Sequence, residues 1–248
     1  MTRLKTLDVA CLPPTRRLPA GEEGRGGARQ GLRTVAKQRW AVVVDFDGTI
    51  TLRDIADAIL LHYTSISFKD VHSSYDPDTV TENWVREKFR AVKATEKELL
   101  RFIHRVGRLR PGFKSLLLLC QKKKIPIEIV SGGLDFYIHP LLRRWGLEKI
   151  KVHCAQAKCG SKGWDVHYRY LNGSTLDKFK AKRVVWHKKR GFKVLFAGDG
   201  GSDLEAAKKA DSVFARGTLL RLCRKYHVPA KPFKNFNAVL NVLRDLKR

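Results

Sequence analysis

Long hydrophobic runs are missing from this 248-residue sequence. A membrane-spanning helix needs about 20 consecutive apolar residues. The nearest candidate, residues 115–120, is closed by Gln121 and three lysines. We therefore expect no membrane span and interpret this segment as one turn of a buried helix.

Cysteine is also scarce. The five cysteines are odd in number and irregularly spaced, at Cys11, Cys120, Cys154, Cys159 and Cys223. This pattern does not make a disulfide framework and favours a reducing compartment, so we expect a cytoplasmic protein. Cys154 and Cys159 are too isolated to indicate a zinc site.

Acidic residues are half as frequent as basic ones. The chain has 24 Asp and Glu against 50 Lys and Arg, which gives a formal net charge of +26. Such a charge fits a solvated surface that favours small anionic ligands, or binding to a polyanion such as nucleic acid. The basic residues are spread along the whole chain, and no RNA-binding aromatic motif interleaves them. We therefore expect contact with nucleic acid to be weak, non-specific and sensitive to salt.

The first 37 residues differ from the rest. They are basic, rich in Gly, and without sustained periodicity, so they cannot bury enough apolar surface to offset the entropy of ordering. We predict a disordered segment at 1–37 and a folded core formed by 38–52 and 108–248. Residues 53–107 are predicted to be a separate insert.

The predicted core alternates strands and helices. Apolar runs typical of strands in a buried parallel sheet occur at 42–46, 125–130, 193–197 and 212–215. Helical patterns lie at 112–124, 134–145, 178–190, 202–209, 217–226 and 235–246. This alternation predicts an α/β fold with a Rossmann-like open parallel sheet, and such sheets bind ligands at the carboxyl ends of their strands.

The insert contains helical patterns alone. These helices are predicted at 53–63, 81–93 and 95–106. Thr95 and Glu98 form a capping-box signature at the start of the third helix. A helical insert that directly follows an active-site strand would cover the site as a cap. A second irregular segment, 151–171, alternates weakly around a Gly-Ser-Lys-Gly turn, which predicts a small β-hairpin.

Two carboxylates, Asp45 and Asp47, stand at the end of the first predicted strand. Residues i and i+2 of a strand face the same way, so these groups repel each other unless a cation lies between them or one is protonated. Mg2+ is such a cation, because it takes carboxylate oxygens together with waters and a substrate phosphate. Gly48 lets the backbone turn away, and Thr49 offers a hydroxyl and an N–H to an anion.

Polar groups also follow the next two predicted strands. Ser131 and Gly132 offer a hydroxyl and unshielded N–H groups suited to phosphate oxygens. Asp199 and Asp203 follow the third strand, and a lysine is needed to balance these charges. The candidates at the start of one helix are Lys178, Lys180 and Lys182. Each pattern alone is typical of a turn or a solvated face, but their order after apolar strands predicts one shared site.

In order and placement these motifs resemble those of the haloacid dehalogenase superfamily of phosphatases, over about residues 40–246. The resemblance implies that Asp45 is the nucleophile that takes the phosphoryl group. It implies that Asp47 is the acid that protonates the leaving oxygen and then the base that activates water. It also implies a Mg2+ ion held by Asp45, Asp199 and the backbone carbonyl of Asp47, with Asp203 in support.

Phosphate binding is expected from a further group of residues. Ser131 resembles the hydroxyl of the second family motif, and Lys180 resembles the motif lysine, with Lys178 as the alternative. We expect Thr49 and Gly132 to complete the phosphate site.

Within the superfamily, the helical insert resembles the cap of phosphoserine phosphatase-like enzymes, although Asp54 stands where those enzymes carry Glu. The stretches at 45–51, 129–142 and 214–223 are similar to the phosphatases of methionine salvage, which act on 2-hydroxy-3-keto-5-methylthiopentenyl-1-phosphate. The resemblance implies a small phosphorylated metabolite as substrate. Candidate leaving-group contacts from the cap are Arg53, Asp54 and Arg86.

Two alternatives stay open from the residues alone. The net charge of +26 favours a phosphatase that acts on nucleic-acid ends. The same scaffold also occurs as a binding module without catalysis.

Overall fold

The computed structural model describes residues 38–73, 79–161 and 163–245. These residues belong to one compact unit, Lys37–Arg248. The predicted disordered segment 1–37 lies outside the described residues, as does Lys162 of the predicted hairpin turn. Within the described ranges, no helix is both long enough and apolar enough to cross a bilayer.

The described residues build a seven-stranded sheet in the order β4-β3-β2-β1-β5-β6-β7. The strands are β1 Arg39–Val44, β2 Ile127–Leu134, β3 Lys151–Gly160, β4 Gly163–His167, β5 Phe192–Gly198, β6 Ser212–Ala215 and β7 Lys231–Pro232. All neighbouring pairs are parallel except β3 and β4, which are antiparallel. The predicted α/β, Rossmann-like fold class is therefore confirmed.

Helices follow the strands and fill the insert. They are α1 Ile55–Tyr63, α2 Phe68–Ser73, α3 Thr81–Phe89, α4 Glu96–Val106, α5 Phe113–Lys123, α6 Asp135–Arg144, α7 Leu176–Lys189, α8 Leu204–Lys209, α9 Gly217–Lys225 and α10 Asn237–Asp245. Short α2 and the two-residue strand β7 were not predicted, because neither has a periodic apolar pattern of its own.

The central strand is buried on both faces. Val42 and Val44 pack into the larger hydrophobic cluster, whereas Val43 packs on the opposite face with residues of α7, α8 and α9. All three side chains are fully buried, and burying a valine contributes about 1.5–3 kcal/mol to stability. This two-sided burial explains why the strand is a continuous apolar run.

Several element boundaries differ from the prediction, by up to four residues. β2 begins at Ile127 and not at 125, because Pro126 has no N–H to donate to a neighbouring strand, and it continues through a register irregularity to Leu134. α3 ends at Phe89, four residues before the predicted end. The predicted capping box is confirmed: the Thr95 side chain accepts from the Glu98 N–H, and Glu98 accepts from the Thr95 N–H at 2.8 Å.

The predicted hairpin forms, but its first strand also belongs to the main sheet. β3 pairs antiparallel with β4 and parallel with β2, so the segment is an extension of the sheet and not a separate insert. The hairpin also supports the cap region, since the indole N–H of buried Trp164 donates to the Ala94 carbonyl at 3.0 Å.

The chain leaves the core before α1 and re-enters it after α4 at the same place. Thr51 and Leu109 form an isolated antiparallel bridge, and the Arg110 N–H donates to the Ile50 carbonyl at 2.8 Å. The two connections therefore run side by side just after β1. This places the helical insert beside the carboxyl end of the central strand, while the division into core and cap domains stays a prediction.

A buried carboxylate in β2 fixes helix α7 against the sheet. Both oxygens of Glu128 accept from the Arg183 guanidinium at 2.8 and 2.9 Å, and His187 lies 3.1 Å away. His153 contacts the same carboxylate at 3.4 Å. Burial alone would raise the pKa of Glu128, but these hydrogen bonds outweigh it and hold the pKa below its ordinary value of 4.5.

Replacement of Glu128 tests this anchor. We expect Glu128→Gln to lower the free energy of unfolding by about 3–5 kcal/mol at pH 7, because it leaves the largely buried Arg183 without a counter-charge. The group's folded-state pKa is depressed, so its contribution is present above pH 4.5 and is lost as the pH falls from 4.5 toward that lower pKa. The difference between wild type and variant should therefore shrink in acid.

Urea unfolding at pH 7 and at about pH 3.5 measures this difference. Glu205→Gln is the matched control, because the exposed pair Glu205–Lys208 is worth at most about 1 kcal/mol. Equal effects of the two substitutions would contradict the anchoring role of Glu128.

Candidate active site

Seven of the eight predicted site residues line one cavity at the carboxyl ends of β1, β2 and β5. They are Asp45, Asp47, Ser131, Gly132, Lys180, Asp199 and Asp203. These residues come from four separate stretches of the chain, and the parallel sheet brings them to one edge. Thr49 is the predicted site residue outside this lining.

Lys180 lies at the centre of the charged residues. Its Nζ donates to Asp45 Oδ1 at 2.8 Å, to Asp203 Oδ1 at 2.6 Å and to Ser202 Oγ at 3.3 Å. Burial by itself lowers the pKa of Lys180, but the charges of Asp203 and Asp45 outweigh it and raise the pKa above its ordinary value. The lysine is therefore a permanent cation, while Lys178 is exposed on the same helix.

The side chain of Asp203 fixes the loop after β5. Its Oδ1 accepts from Lys180, and its Oδ2 accepts from the N–H groups of Asp199 and Gly200 at 3.0 and 2.9 Å. A Cβ on Gly198 would lie 2.5 Å from Asp203 Oδ2, so the loop packs closely on this carboxylate. Asp203 thus orients Asp199 and Lys180.

Asp45 and Asp199 present oxygens to a common point. One oxygen each from Asp45, Asp199 and Asp203 lies within 4.8 Å of the others. Burial raises the pKa of Asp45 to about 7 despite the opposing charge of Lys180. Burial and the charges of Asp45 and Asp203 raise the pKa of Asp199 well above its ordinary value. Such concentrated negative charge is the donor set that a hard divalent cation prefers, so these residues fit Mg2+.

The loop after β1 places glycine where no side chain fits. Gly48 has a φ of 67°, and a Cβ there would lie 2.1 Å from Asp199 Oδ2. The loop also contacts Asp199 through the Thr49 hydroxyl, which donates to Asp199 Oδ1 at 2.8 Å. The Thr49 N–H donates to the Phe46 carbonyl at 3.2 Å. Both donors of Thr49 are used within the protein. The geometry therefore gives Thr49 a role in orienting Asp199 and offers no support for the predicted phosphate contact.

The side chain of Asp47 faces a different set of partners. Its Oδ1 accepts from the Ile55 N–H at the start of α1 at 3.0 Å, and its Oδ2 accepts from the Tyr137 hydroxyl at 2.6 Å. Burial and the charge of Asp54 raise the pKa of Asp47 well above its ordinary value, against the lowering effect of Tyr137. The raised pKa favours a protonated form that can donate to a leaving group.

Two tyrosines that the sequence did not reveal hold the irregular end of β2 around Ser131. The Tyr170 hydroxyl donates to the Ser131 carbonyl and the Tyr168 hydroxyl to the Gly132 carbonyl, each at 2.7 Å. Ser131 Oγ accepts from the Gly133 N–H at 2.9 Å, which leaves its own hydroxyl hydrogen to donate. Because the carbonyls of Ser131 and Gly132 accept these hydrogen bonds, both residues are held at the cavity wall.

Buried Arg110 is another missed residue, and it fixes the loop after β1. Its Nε donates to the Thr49 carbonyl at 2.6 Å, and its Nη2 donates to the Gly48 and Thr51 carbonyls at 2.7 Å each. Its Nη1 reaches the Lys234 carbonyl at 3.1 Å. A single arginine before Pro111 carries no pattern that marks such a role, so sequence reasoning had no signal to find it.

The three candidate cap contacts are dispersed. Asp54 lines the cavity, caps α1 through a bond to the Asp57 N–H at 2.9 Å, and has its pKa raised to about 6 by burial. Arg53 lines a neighbouring cavity. Arg86 lies over the Tyr168 ring at 5.2 Å and donates to Asn83 at 2.8 Å. The structure therefore brings one of the three, Asp54, to the site.

The family model for haloacid dehalogenase-like hydrolases matches residues 42–208. The chain therefore belongs to the haloacid dehalogenase-like hydrolase family, as its motifs predicted. The match spans β1 through α8 and so includes every residue of the cavity described above.

Curated relatives point to a phosphatase branch of this family. The chain is 28% identical over 219 residues to a 2-hydroxy-3-keto-5-methylthiopentenyl-1-phosphate phosphatase of Bacillus cytotoxicus, covering 83% of this chain and 96% of the relative. It is 29% identical to the enzyme of the same name from Lysinibacillus sphaericus, covering 83% and 94%. These similarities agree with the predicted enzyme class, a phosphatase of the haloacid dehalogenase type.

Solved structures support the fold independently. A phosphoserine phosphatase captured as a phospho-aspartyl intermediate analogue superposes with a TM-score of 0.66 at 17% identity, covering 83% of this chain and 99% of that one. Substrate-bound phosphoserine phosphatase gives the same TM-score of 0.66 at 16% identity, covering 83% and 99%.

The buried lysine gives a direct test of the site. We expect Lys180→Met to lower turnover of 4-nitrophenyl phosphate by at least about a hundredfold, because preorganised positive charge at the reacting group is lost. Lys178→Met is the matched control on the same helix and should stay within about twofold, because an exposed side chain is removed. Steady-state rates with a parallel thermal melt measure both; equal activity of the two variants would exclude Lys180 from the site.

Proposed function

We propose that this protein is a Mg2+-dependent phosphomonoester hydrolase that works through an aspartyl-phosphate intermediate on a small phosphorylated metabolite. One observation carries the proposal: Lys180 bridges Asp45 and Asp203 inside a cavity that Asp47 and Asp199 also line. Phosphoryl transfer needs positioning and charge neutralisation around the phosphoryl oxygens, and Lys180, Ser131 and a bound Mg2+ would provide them in this cavity.

In the first step Asp45 attacks phosphorus, and the bond from phosphorus to the leaving oxygen breaks. Asp47, protonated because its pKa is raised, gives its proton to that oxygen. Lys180 and the hydroxyl of Ser131 stabilise the charge on the phosphoryl oxygens. The products of this step are an alcohol and a phosphorylated Asp45.

In the second step Asp47 acts as a base. Its carboxylate takes a proton from a water molecule, whose oxygen attacks phosphorus and releases Asp45. Inorganic phosphate leaves, and Asp47 has regained the proton that it gave away. Splitting hydrolysis in this way replaces one difficult displacement by two easier ones.

Asp45 and Asp199 are the side chains that would hold Mg2+, with Asp203 orienting Asp199. The two side-chain oxygens of Asp47 bond to Ile55 and Tyr137, so a metal contact of Asp47 is assigned to its backbone carbonyl. When bound, the ion supplies positive charge that offsets the carboxylates and the phosphate.

The cap side of the cavity favours an uncharged leaving group. Its apolar lining residues are Ala56, Trp84, Val85 and Leu176. Asp54 and Asp57 add negative charge, and Lys180 is the one cation among the described lining residues. The carboxylate of phosphoserine would find no cationic partner of its own among the described lining residues, since Asp54 and Asp57 can pair with its ammonium group alone. This supports a substrate like that named for the curated relatives, whose leaving group is a neutral keto thioether, over phosphoserine.

The predicted cytoplasmic location remains part of the proposal. The cysteines Cys120, Cys154, Cys159 and Cys223 are free, which suits a reducing compartment, while Cys11 lies outside the described residues.

Removal of divalent cations tests the metal site. We expect EDTA to abolish phosphatase activity of the wild type and added Mg2+ to restore it, because unbalanced carboxylates repel the phosphate dianion. Asp45→Asn should be folded and inactive with or without Mg2+, since it lacks the nucleophile. Full activity in EDTA, or turnover by Asp45→Asn, would contradict the proposal.

A matched pair of esters tests the leaving-group preference. We expect kcat/KM for pentyl phosphate to exceed that for its ω-carboxylated counterpart of equal length by at least about tenfold, because a second negative charge faces Asp54 and Asp57. A preference for phosphoserine would contradict the proposed uncharged leaving group but would leave the proposed phosphatase chemistry in place.

A further inference from the structure

The Tyr137 hydroxyl bonds to the side chain of the proposed acid. Its oxygen lies 2.6 Å from Asp47 Oδ2, across 90 residues of sequence, and the tyrosine is fully buried. The other tyrosines beside the cavity, Tyr168 and Tyr170, bond to backbone carbonyls. Tyr137 is therefore the tyrosine of this group that contacts a reacting side chain directly.

The surroundings leave the Tyr137 ring little freedom. Its ring packs edge-on against Phe136 with centroids 5.2 Å apart and lies 6.4 Å from the Phe46 ring. Gly133 makes room for the contact, because a Cβ there would lie 2.3 Å from both the Tyr137 hydroxyl and Asp47 Oδ2. Tyr137 and Gly133 together leave space for one orientation of the Asp47 carboxyl group.

Two hydrogen bonds from opposite sides set the plane of the Asp47 carboxyl group. The Ile55 N–H holds Oδ1 at 3.0 Å, and Tyr137 holds Oδ2 at 2.6 Å. A carboxylate has about four lone-pair positions, so two remain, and one of them can carry the transferable proton. Asp47 lines the cavity whereas Tyr137 lies behind it, so Tyr137 acts through Asp47 and does not touch the substrate.

From this geometry we infer that Tyr137 is a positioning residue for general-acid transfer: it aims the Asp47 proton at the leaving oxygen and keeps its own proton throughout. The inference rests on the proposed phosphatase mechanism. Correct aim matters because general-acid catalysis contributes about 10²–10⁴-fold, and it contributes most when the leaving oxygen is strongly basic. An acidic phenol leaves without such help.

Tyr137→Phe keeps the packed ring and removes the hydroxyl. With Mg2+ present, kcat/KM should fall about tenfold to a hundredfold for pentyl phosphate and less than about threefold for 4-nitrophenyl phosphate. The ratio kcat/KM reports the steps up to release of the leaving group, so the later role of Asp47 as a base does not enter it. Comparing two esters on one preparation also cancels any loss of folded protein.

Tyr170→Phe is the matched control, because it removes a part-buried hydroxyl that bonds to the Ser131 carbonyl at the end of β2. Its effect should be the same for both esters, since both carry the same phosphate. An equal fall for both esters in Tyr137→Phe, or no fall for pentyl phosphate, would overturn the positioning role. A wild type that hydrolyses neither ester would instead reject the proposed function itself.

Discussion

The buried charge of Lys180 is the constraint on which the rest of the site depends. Moving an ammonium group out of water costs several kcal/mol unless close partners replace its hydration. Asp45 and Asp203 are those partners, at 2.8 and 2.6 Å, and each belongs to a different element from the lysine. The end of β1, the start of α7 and the loop after β5 must therefore meet in one arrangement for the fold to be stable. The same arrangement places the lysine ammonium group in the cavity where phosphoryl transfer is proposed.

Helix α7 reaches that arrangement because it is held at two levels. Arg183 and His187 follow Lys180 by three and seven residues, so the three side chains lie on one face of the helix. Lys180 contacts Asp45 at the carboxyl end of β1, and the other two contact Glu128 near the start of β2. Glu128 is remote from the chemistry, yet it sets the rotation of the helix that carries the lysine. One face of this helix thus joins the ion pairs around Glu128 to the cavity that Lys180 lines.

Local patterns predicted the parts of the molecule whose cause is local. The apolar runs gave the strands, their carboxyl ends gave the motif residues, and Thr95 with Glu98 gave a helix start. Tyr137, Arg110 and Glu128 were missed because their partners lie 90, 61 and 55 residues away. A lone tyrosine, arginine or glutamate looks the same in sequence whether it is buried or solvated. Thr49 was predicted to contact phosphate, but its hydroxyl donates to Asp199 and its N–H donates to the Phe46 carbonyl.

The Arg110 guanidinium donates hydrogen bonds to main-chain carbonyls of the loop after β1. It also donates to the Lys234 carbonyl, in the chain before α10. Just beyond it, the Phe236 N–H donates to the Pro111 carbonyl at 2.9 Å. Protease trimming or a bulky fusion in this late stretch of the polypeptide would therefore disturb the loop after β1 through Arg110. For anyone producing the protein, the placement of an affinity tag becomes a question about catalysis as well as about purification.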